Sequence, residues 1–234
     1  MIKVVRQTEP PILLKKEAVW MDALRRASTA PEKERASKKY RHRQVQEALT
    51  TMFQGKCGYC ESHIEHVSDP HIEHYRPKSK FPELTFAWEN LLLACGKCNS
   101  TQYKGDKFPE ADEGGPIINP CVDNPEDHFE FVYDATAKVA TIATKTTRGR
   151  KTETLLGLNR NALRQHRSTH VTRLMALARF ASTDAAAQQL LSEAKQDDAE
   201  YAAFARALDE PTPLSSVTTR QKWGEEGSGV DSHQ

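Results

Sequence analysis

The sequence lacks the features of a membrane-spanning or exported protein. It has no run of about 18 consecutive apolar residues and no N-terminal stretch with the composition of a signal peptide, so we expect a cytoplasmic protein. Aromatic residues make up only 7% of the 234 residues and hydrophobic residues 38%, which predicts a modest core.

Net charge is also small, at +1, but the charges are unevenly distributed. In residues 148–179 eight basic residues accompany one acidic residue, whereas residues 182–210 contain two basic and seven acidic residues. Local basic surfaces attract phosphate backbones. Solvated helix faces explain such a segment equally well, so charge alone leaves nucleic-acid binding open.

Cysteine is scarce, and its placement argues against a disulfide framework. Four of the five cysteines form two Cys-x-x-Cys pairs, Cys57/Cys60 and Cys95/Cys98, separated by 34 residues. Two such turns in a reducing compartment typically present four thiolates to zinc, although redox dithiols are a minor alternative. With four cysteine ligands the metal would be structural and would contribute folding energy. Cys121 stands alone, and we expect a small buried side chain there.

A polar group lies inside the loop that these cysteines would close. Glu73 and His74 are adjacent on a predicted strand, and Asn99 follows Cys98 directly. An unperturbed histidine, with a pKa of about 6.5, suits proton abstraction from water. Carboxylate and amide oxygens suit a hard divalent ion such as Mg²⁺ or Mn²⁺. Each residue alone is more often structural, but the combination predicts a catalytic site.

The patterns divide the chain into four predicted parts. Residues 1–56 are expected to form an N-terminal helical arm, 57–109 a core with the four-cysteine zinc site, 110–210 a linker, short β-hairpin and C-terminal helical region, and 211–234 a disordered tail rich in Ser, Thr, Gly and Glu. Strands are predicted at 71–75, 90–94, 129–133 and 138–144, and helices at 17–27, 32–53, 97–103, 152–158, 161–180 and 184–208.

The order Cys-x-x-Cys, Glu-His, Asn-Leu, Cys-x-x-Cys-Asn resembles the HNH endonuclease family. The resemblance implies an α+β protein with a zinc-bound ββα-metal core flanked by helices. It implies that His74 activates the attacking water and that Asn90 shapes the active-site loop by hydrogen bonding. It also implies that Glu73 and Asn99 hold the catalytic ion, with Asn99 in place of the final histidine and Glu73 where many members carry aspartate.

A narrower resemblance rests on the stretches CGYCE, IEHYRPKS, WENLLLACGKCN, KFP and LGLNR. These are similar to PtuB-type HNH nucleases of Septu and retron-associated antiphage defence systems. That family implies a PtuA-type ATPase partner and, in retron versions, a reverse transcriptase with its RNA–DNA hybrid. DNA and RNA both remain open as the substrate.

Basic residues near these motifs are the candidates for phosphate contacts. They are Lys78, Lys80, Lys97, Lys104 and Lys107 near the core motif, and Arg160, Arg164 and Arg167 at helical spacing in the C-terminal region. One alternative is a stand-alone restriction-type HNH nuclease, which would need the three arginines to read DNA. Another is a non-catalytic zinc adaptor.

Overall fold

The computed structural model describes residues 1–64 and 69–208, and it confirms a mixed α and β protein. The predicted tail at 211–234 lies outside the described residues. No helix within the described residues has the length and apolar composition needed to cross a bilayer. In chain order the helices and strands are α1 (Pro11–Arg26), α2 (Ala30–Ser37), α3 (Arg43–Met52), β1 (His71–His74), β2 (Leu91–Ala94), β3 (Phe129–Asp134), β4 (Val139–Thr144), α4 (Thr147–Leu156), α5 (Asn161–Ala178), α6 (Ala185–Ala194) and α7 (Ala202–Ala207).

The N-terminal arm (residues 1–56) differs from its predicted two helices. Helix α1 begins at Pro11 rather than residue 17, because proline at a first helical position forfeits no intrahelical hydrogen bond. The long helix predicted at 32–53 is interrupted by a 3₁₀ turn, Lys38–Arg41, and by extended backbone at His42. The His42 imidazole accepts a hydrogen bond from Gln44 N at 3.2 Å and so caps α3. The interruption turns Tyr40 into the core, where it is buried.

The first sheet pairs β1 with β2 in antiparallel register, with His71 opposite Ala94 and His74 opposite Leu91. All four residues of β2 are fully buried, because α3 packs against this strand. The first cysteine turn is attached to the same strand, since Gly58 N donates to Leu93 O at 2.9 Å. The sheet therefore places the cysteine turns at its Ala94 end and His74 at its other end.

The segment after the second cysteine pair is not the helix predicted at 97–103. It consists of turns: Asn99 N donates to Cys95 O at 3.1 Å, and Lys104 N donates to Cys98 O at 3.2 Å. The second bond spans six residues, which α-helical geometry does not allow. The chain wraps around the cysteines here instead of leaving them along a helix axis.

The C-terminal region (residues 110–208) contains a second antiparallel sheet, β3 with β4, packed against α5 and α7. Asp184 caps α6 as expected, accepting from Ala186 N at 2.8 Å and Ala187 N at 3.1 Å. The helix predicted to run to residue 208 ends early, and Tyr201 adopts a left-handed φ of 54° before α7. The buried Tyr201 hydroxyl lies 2.9 Å from Ser62 Oγ, which ties this region to the first cysteine turn.

Candidate active site and thiol cluster

The four predicted zinc ligands converge at the Ala94 end of the first sheet. Their sulfur atoms all lie within 4.8 Å of one another, and Cys60 Sγ is 3.9 Å from Cys95 Sγ. Tetrahedral zinc with Zn–S bonds of about 2.3 Å places its sulfurs about 3.8 Å apart, whereas a disulfide would require about 2.05 Å. The cluster thus has the donor type, number and spacing of a structural zinc site. Cys121 lies apart and is half-buried.

Arg160 supports the thiol cluster rather than standing free on the surface. Its two terminal nitrogens lie 3.6 and 3.7 Å from Cys98 Sγ, and its guanidinium lies 5.2 Å from the Tyr103 ring centre. Four thiolates around one Zn²⁺ would leave a net negative charge, which this guanidinium offsets. The guanidinium is thus directed at sulfur, and because the side chain is only half-buried its contact with nucleic acid stays a prediction.

Glu73 occupies the interior of the core, on the opposite face of β1 from His74. Its Oε1 lies 2.5 Å from Lys104 Nζ, and both side chains are buried. Burial raises the pKa of Glu73 to about 7, while the Lys104 charge acts in the opposite direction. Lys104 also donates to His74 O at 2.8 Å. The prediction that Lys104 contacts nucleic acid is wrong, because this ammonium is fully buried inside the site.

This ion pair bears on the predicted divalent-ion ligands, Glu73 and Asn99. A cation at Glu73 Oε1 would meet the Lys104 ammonium at hydrogen-bonding distance. Asn99 is half-buried in the turn after Cys98. In the part of the chain that the structure describes, the four cysteines form the one gathered group of metal-binding Cys, His and acidic side chains. Glu73 therefore fits a hard divalent ion poorly while Lys104 remains paired with it.

The two ring nitrogens of His74 have different roles: Nε2 forms a hydrogen bond and Nδ1 keeps a free lone pair. Its Nε2 lies 2.9 Å from Thr85 O, and because a carbonyl only accepts, Nε2 carries the hydrogen and Nδ1 keeps a lone pair. Burial lowers its pKa to about 4, and the nearby charges of Lys78, Lys104 and Arg41 act in the same direction. The imidazole is consequently neutral at pH 7 and presents Nδ1 as a proton acceptor.

Asn90 fixes the loop that supplies the Thr85 carbonyl. Its Oδ1 accepts from Arg76 N at 2.8 Å, and its Nδ2 donates to Arg76 O at 3.0 Å and Leu84 O at 3.2 Å. The amide thus ties both ends of residues 76–84 together at the end of β1. This is the loop-shaping geometry expected of Asn90, and through Thr85 it reaches the His74 ring.

The three arginines predicted at helical spacing in the C-terminal region, Arg160, Arg164 and Arg167, lie in three different environments. Arg167 is buried and donates to Leu158 O and Ala140 O, each at 3.0 Å. The prediction that it contacts nucleic acid is wrong, because its guanidinium serves backbone carbonyls under the second sheet. With Arg160 against Cys98, only Arg164 of the three is exposed.

The predicted lysines other than Lys104 remain available to solvent. Lys97 and Lys107 are exposed and Lys78 is half-buried. Lys97 Nζ lies 5.7 Å from the Tyr103 ring centre, and Lys107 Nζ donates to Gln102 O at 3.0 Å. Their proposed contacts with phosphate stay predictions.

One aromatic residue of the site was missed from the sequence. The Tyr40 ring packs edge-on against His74 with ring centres 4.5 Å apart. It lies in a strongly basic part of the helix predicted at 32–53, and no local pattern marked it as a core residue. The break between α2 and α3, which has no proline or glycine to signal it, is what brings Tyr40 to the histidine.

Comparison with known proteins finds a family match for the segment that contains the thiol cluster and His74. The family model described as HNH endonuclease matches residues 57–105. This segment is an HNH endonuclease domain. It includes all four clustered cysteines and the Glu73–His74 pair, and Tyr40 lies outside it.

Similarity to curated proteins extends beyond this domain. The chain is 32% identical over 162 residues to Septu protein PtuB of Bacillus mycoides (strain KBAB4), covering 56% of this chain and 55% of that protein. It is 39% identical over 85 residues to Septu protein PtuB of Bacillus thuringiensis, covering 36% and 31% respectively. It is also 28% identical over 151 residues to Septu protein PtuA of Bacillus mycoides (strain KBAB4), covering 53% and 20%. The resemblance to PtuB-type HNH proteins is confirmed, and the chain spans about half the length, or less, of these relatives.

Proposed function

We propose that this protein is a metal-dependent HNH endonuclease that hydrolyses phosphodiester bonds of nucleic acid. The observation that carries the proposal is the His74 imidazole inside the HNH domain, with Nε2 donating to Thr85 O and Nδ1 left as an acceptor. A neutral, oriented imidazole is what a general base requires.

In the proposed reaction Nδ1 of His74 takes a proton from the water that attacks phosphorus. Nε2 keeps its hydrogen and continues to donate it to the Thr85 carbonyl, which stabilises the imidazolium that forms. Asn90 keeps that carbonyl in place through the 76–84 loop. A bound Mg²⁺ or Mn²⁺ would stabilise negative charge on the scissile phosphate. Glu73 is the proposed ligand that needs the largest rearrangement, because Lys104 must first leave its carboxylate.

Zinc at the four cysteines has a structural role in this proposal. The site is closed by four sulfur donors, so it offers no open position to a substrate. It connects the Cys57 turn to the Cys95 turn at the Ala94 end of the sheet, and His74 lies at the other end of the same sheet. Zinc would therefore hold the catalytic strand in register.

We further propose that the protein is the nuclease of an antiphage defence complex. The support is similarity to proteins named Septu PtuB and Septu PtuA, and the expected partner is a PtuA-type ATPase. Association with a retron reverse transcriptase and its RNA–DNA hybrid remains a prediction from the sequence resemblance. The adjacent genes of the chromosome test both partners directly.

The stand-alone restriction-type alternative loses most of its support. It needed Arg160, Arg164 and Arg167 to read DNA together, and two of these guanidinium groups are directed at a thiol and at buried carbonyls. One exposed arginine does not make a base-reading surface.

The test is cleavage by wild-type protein and H74A, each purified with the expected ATPase partner and supplied with Mg²⁺ or Mn²⁺. Loss of a general base lowers the rate by about 10²–10⁴-fold. Zinc content should stay unchanged, since His74 does not touch the cysteines, and circular dichroism establishes that H74A is folded. Equal cleavage by both proteins would show that His74 is not the base.

A further inference from the structure

Two basic side chains beside His74 form no direct ion pair among the described residues, although the charge of Glu34 interacts with both of them. Arg41 lies in the N-terminal arm and Lys78 in the 76–84 loop, and both flank Tyr40. Two neighbouring basic residues are paired: Lys38 Nζ lies 2.6 Å from Glu34 Oε1, and Arg43 Nη1 lies 2.8 Å from Glu47 Oε1. Arg41 and Lys78 differ from these two residues because their charged groups lie over the ring of Tyr40.

Tyr40 holds the two cations in place. The Lys78 ammonium lies 5.0 Å from the centre of the Tyr40 ring, and the Arg41 guanidinium lies 5.6 Å from it. Arg41 Nε also donates to the Tyr40 hydroxyl at 3.2 Å. Both distances are within the range of cation–π attraction. The same ring packs on His74, so one buried aromatic fixes two cations relative to the general base.

There is open space for a ligand at this place. Lys78 and Thr85 both line a cleft of about 590 Å³ between the first two helices and the 76–84 loop, a volume within the usual range of ligand sites. Its charged lining is mixed, with Arg25 and Lys33 beside three carboxylates, and Tyr40 and Arg41 lie outside it. Thr85 is also the hydrogen-bond partner of His74. A chain entering the cleft would therefore pass Lys78 next to the catalytic histidine.

We propose that Arg41, Tyr40 and Lys78 form a phosphate-binding site for the nucleic-acid backbone next to the scissile bond. The N-terminal arm supplies Tyr40 and Arg41, whereas the HNH domain supplies Lys78, so the matched domain is incomplete without the arm. Guanidinium and ammonium groups bind phosphodiester oxygens without reading base sequence. The ligand is a phosphodiester backbone, and both DNA and RNA provide it.

This site rests on the proposed nuclease function and deepens it, and binding without cleavage tests it. The full chain is titrated with a fluorescein-labelled single-stranded DNA and with its RNA counterpart, without added Mg²⁺ or Mn²⁺, by fluorescence anisotropy at several salt concentrations. R41A and K78A should each weaken binding roughly tenfold at low salt. Each should also reduce the slope of log K against log salt by about 0.7, because one counterion fewer is released.

R43A is the matched control, because Arg43 is an exposed arginine two positions along that is already paired with Glu47. Its affinity and salt slope should equal those of the wild type. Y40F retains the ring and should bind like the wild type within about twofold, whereas Y40L should lose as much affinity as R41A and K78A combined. Unfolding midpoints establish that each variant is folded.

Unchanged salt slopes in R41A and K78A would overturn the phosphate site, as would failure of the wild type to bind either probe. These results are separable from a failure of the nuclease assignment. Cleavage by H74A would refute the assignment of His74 as the general base, and it would not affect the binding results. If H74A is inactive but R41A and K78A bind nucleic acid like the wild type, the proposed nuclease function stands and only the phosphate site is refuted. Preference for one probe shows which nucleic acid the site accepts.

Discussion

The thiol cluster and the His74 site lie at opposite ends of one short sheet, and they are built in different ways. The cysteines come from two local turns whose spacing alone brings them together. The histidine depends on a carbonyl from a loop, an aromatic ring from the N-terminal arm and a buried lysine from the turn after Cys98. Metal ligands within short motifs are thus encoded locally, whereas the environment of a base is assembled from distant segments.

Removing a thiol should have the largest effect on the protein. C57S leaves three sulfur donors, and because structural zinc contributes about 10–16 kcal/mol to folding, we expect loss of bound zinc and of cooperative unfolding. Elemental analysis and circular dichroism measure both. C121S is the matched control and should keep its zinc. A C57S protein with full zinc content would contradict the four-cysteine site.

Breaking the Lys104–Glu73 pair should come next. K104M leaves a buried carboxylate without its ammonium, which costs about 3–5 kcal/mol in the free energy of unfolding. Urea denaturation measures the loss. The double variant E73Q/K104M should recover most of it, because no unpaired charge is left inside. Equal stability of K104M and wild type would mean that the pair does not form in solution.

Glu73 and His74 should give opposite pH dependences of stability despite being adjacent. The Glu73 pKa is raised from 4.5 to about 7, so the folded state holds its proton longer, and stability falls as pH rises through that window. The His74 pKa is lowered from 6.5 to about 4, so stability is lost as pH falls from 6.5 towards 4. Each effect amounts to about 3 kcal/mol.

In the wild type these two slopes largely cancel between about pH 4.5 and 6.5. E73Q should leave the rising slope of His74, and H74A should leave the falling slope of Glu73. Urea unfolding across this pH range separates them. Identical pH profiles in the two variants would refute the opposite shifts.

The smallest effect should come from the loop amide. N90A removes three hydrogen bonds to the 76–84 loop, and unsatisfied buried backbone groups cost about 1–3 kcal/mol. We expect cleavage to fall more than stability, since the Thr85 carbonyl would no longer be fixed behind His74. Comparing cleavage rate with unfolding free energy in N90A and H74A checks this. N90A activity equal to wild type would separate the loop from the reaction.

Prediction from the sequence was accurate where the signal was local. The strand pair around His74, the β3–β4 hairpin and the Asp184 cap were expected and are present. It was wrong where tertiary packing overrode helical spacing. The helix at 97–103 became turns around the cysteines, and the long helices at 32–53 and 184–208 broke at Lys38–Arg41 and before Tyr201. Each break buries a tyrosine, and such burial outweighs helix propensity.

Residue types and spacings within one short stretch were enough to predict the thiol cluster, the histidine that we propose as the general base and the asparagine of the loop. Only the tertiary structure decided which basic residues face solvent. Lys104 and Arg167 look like surface charges in the sequence, yet one neutralises Glu73 and the other binds backbone carbonyls. The reason is that a charged side chain can be buried only where other segments of the chain supply its partners. Those segments are distant in sequence, so the local sequence does not reveal them.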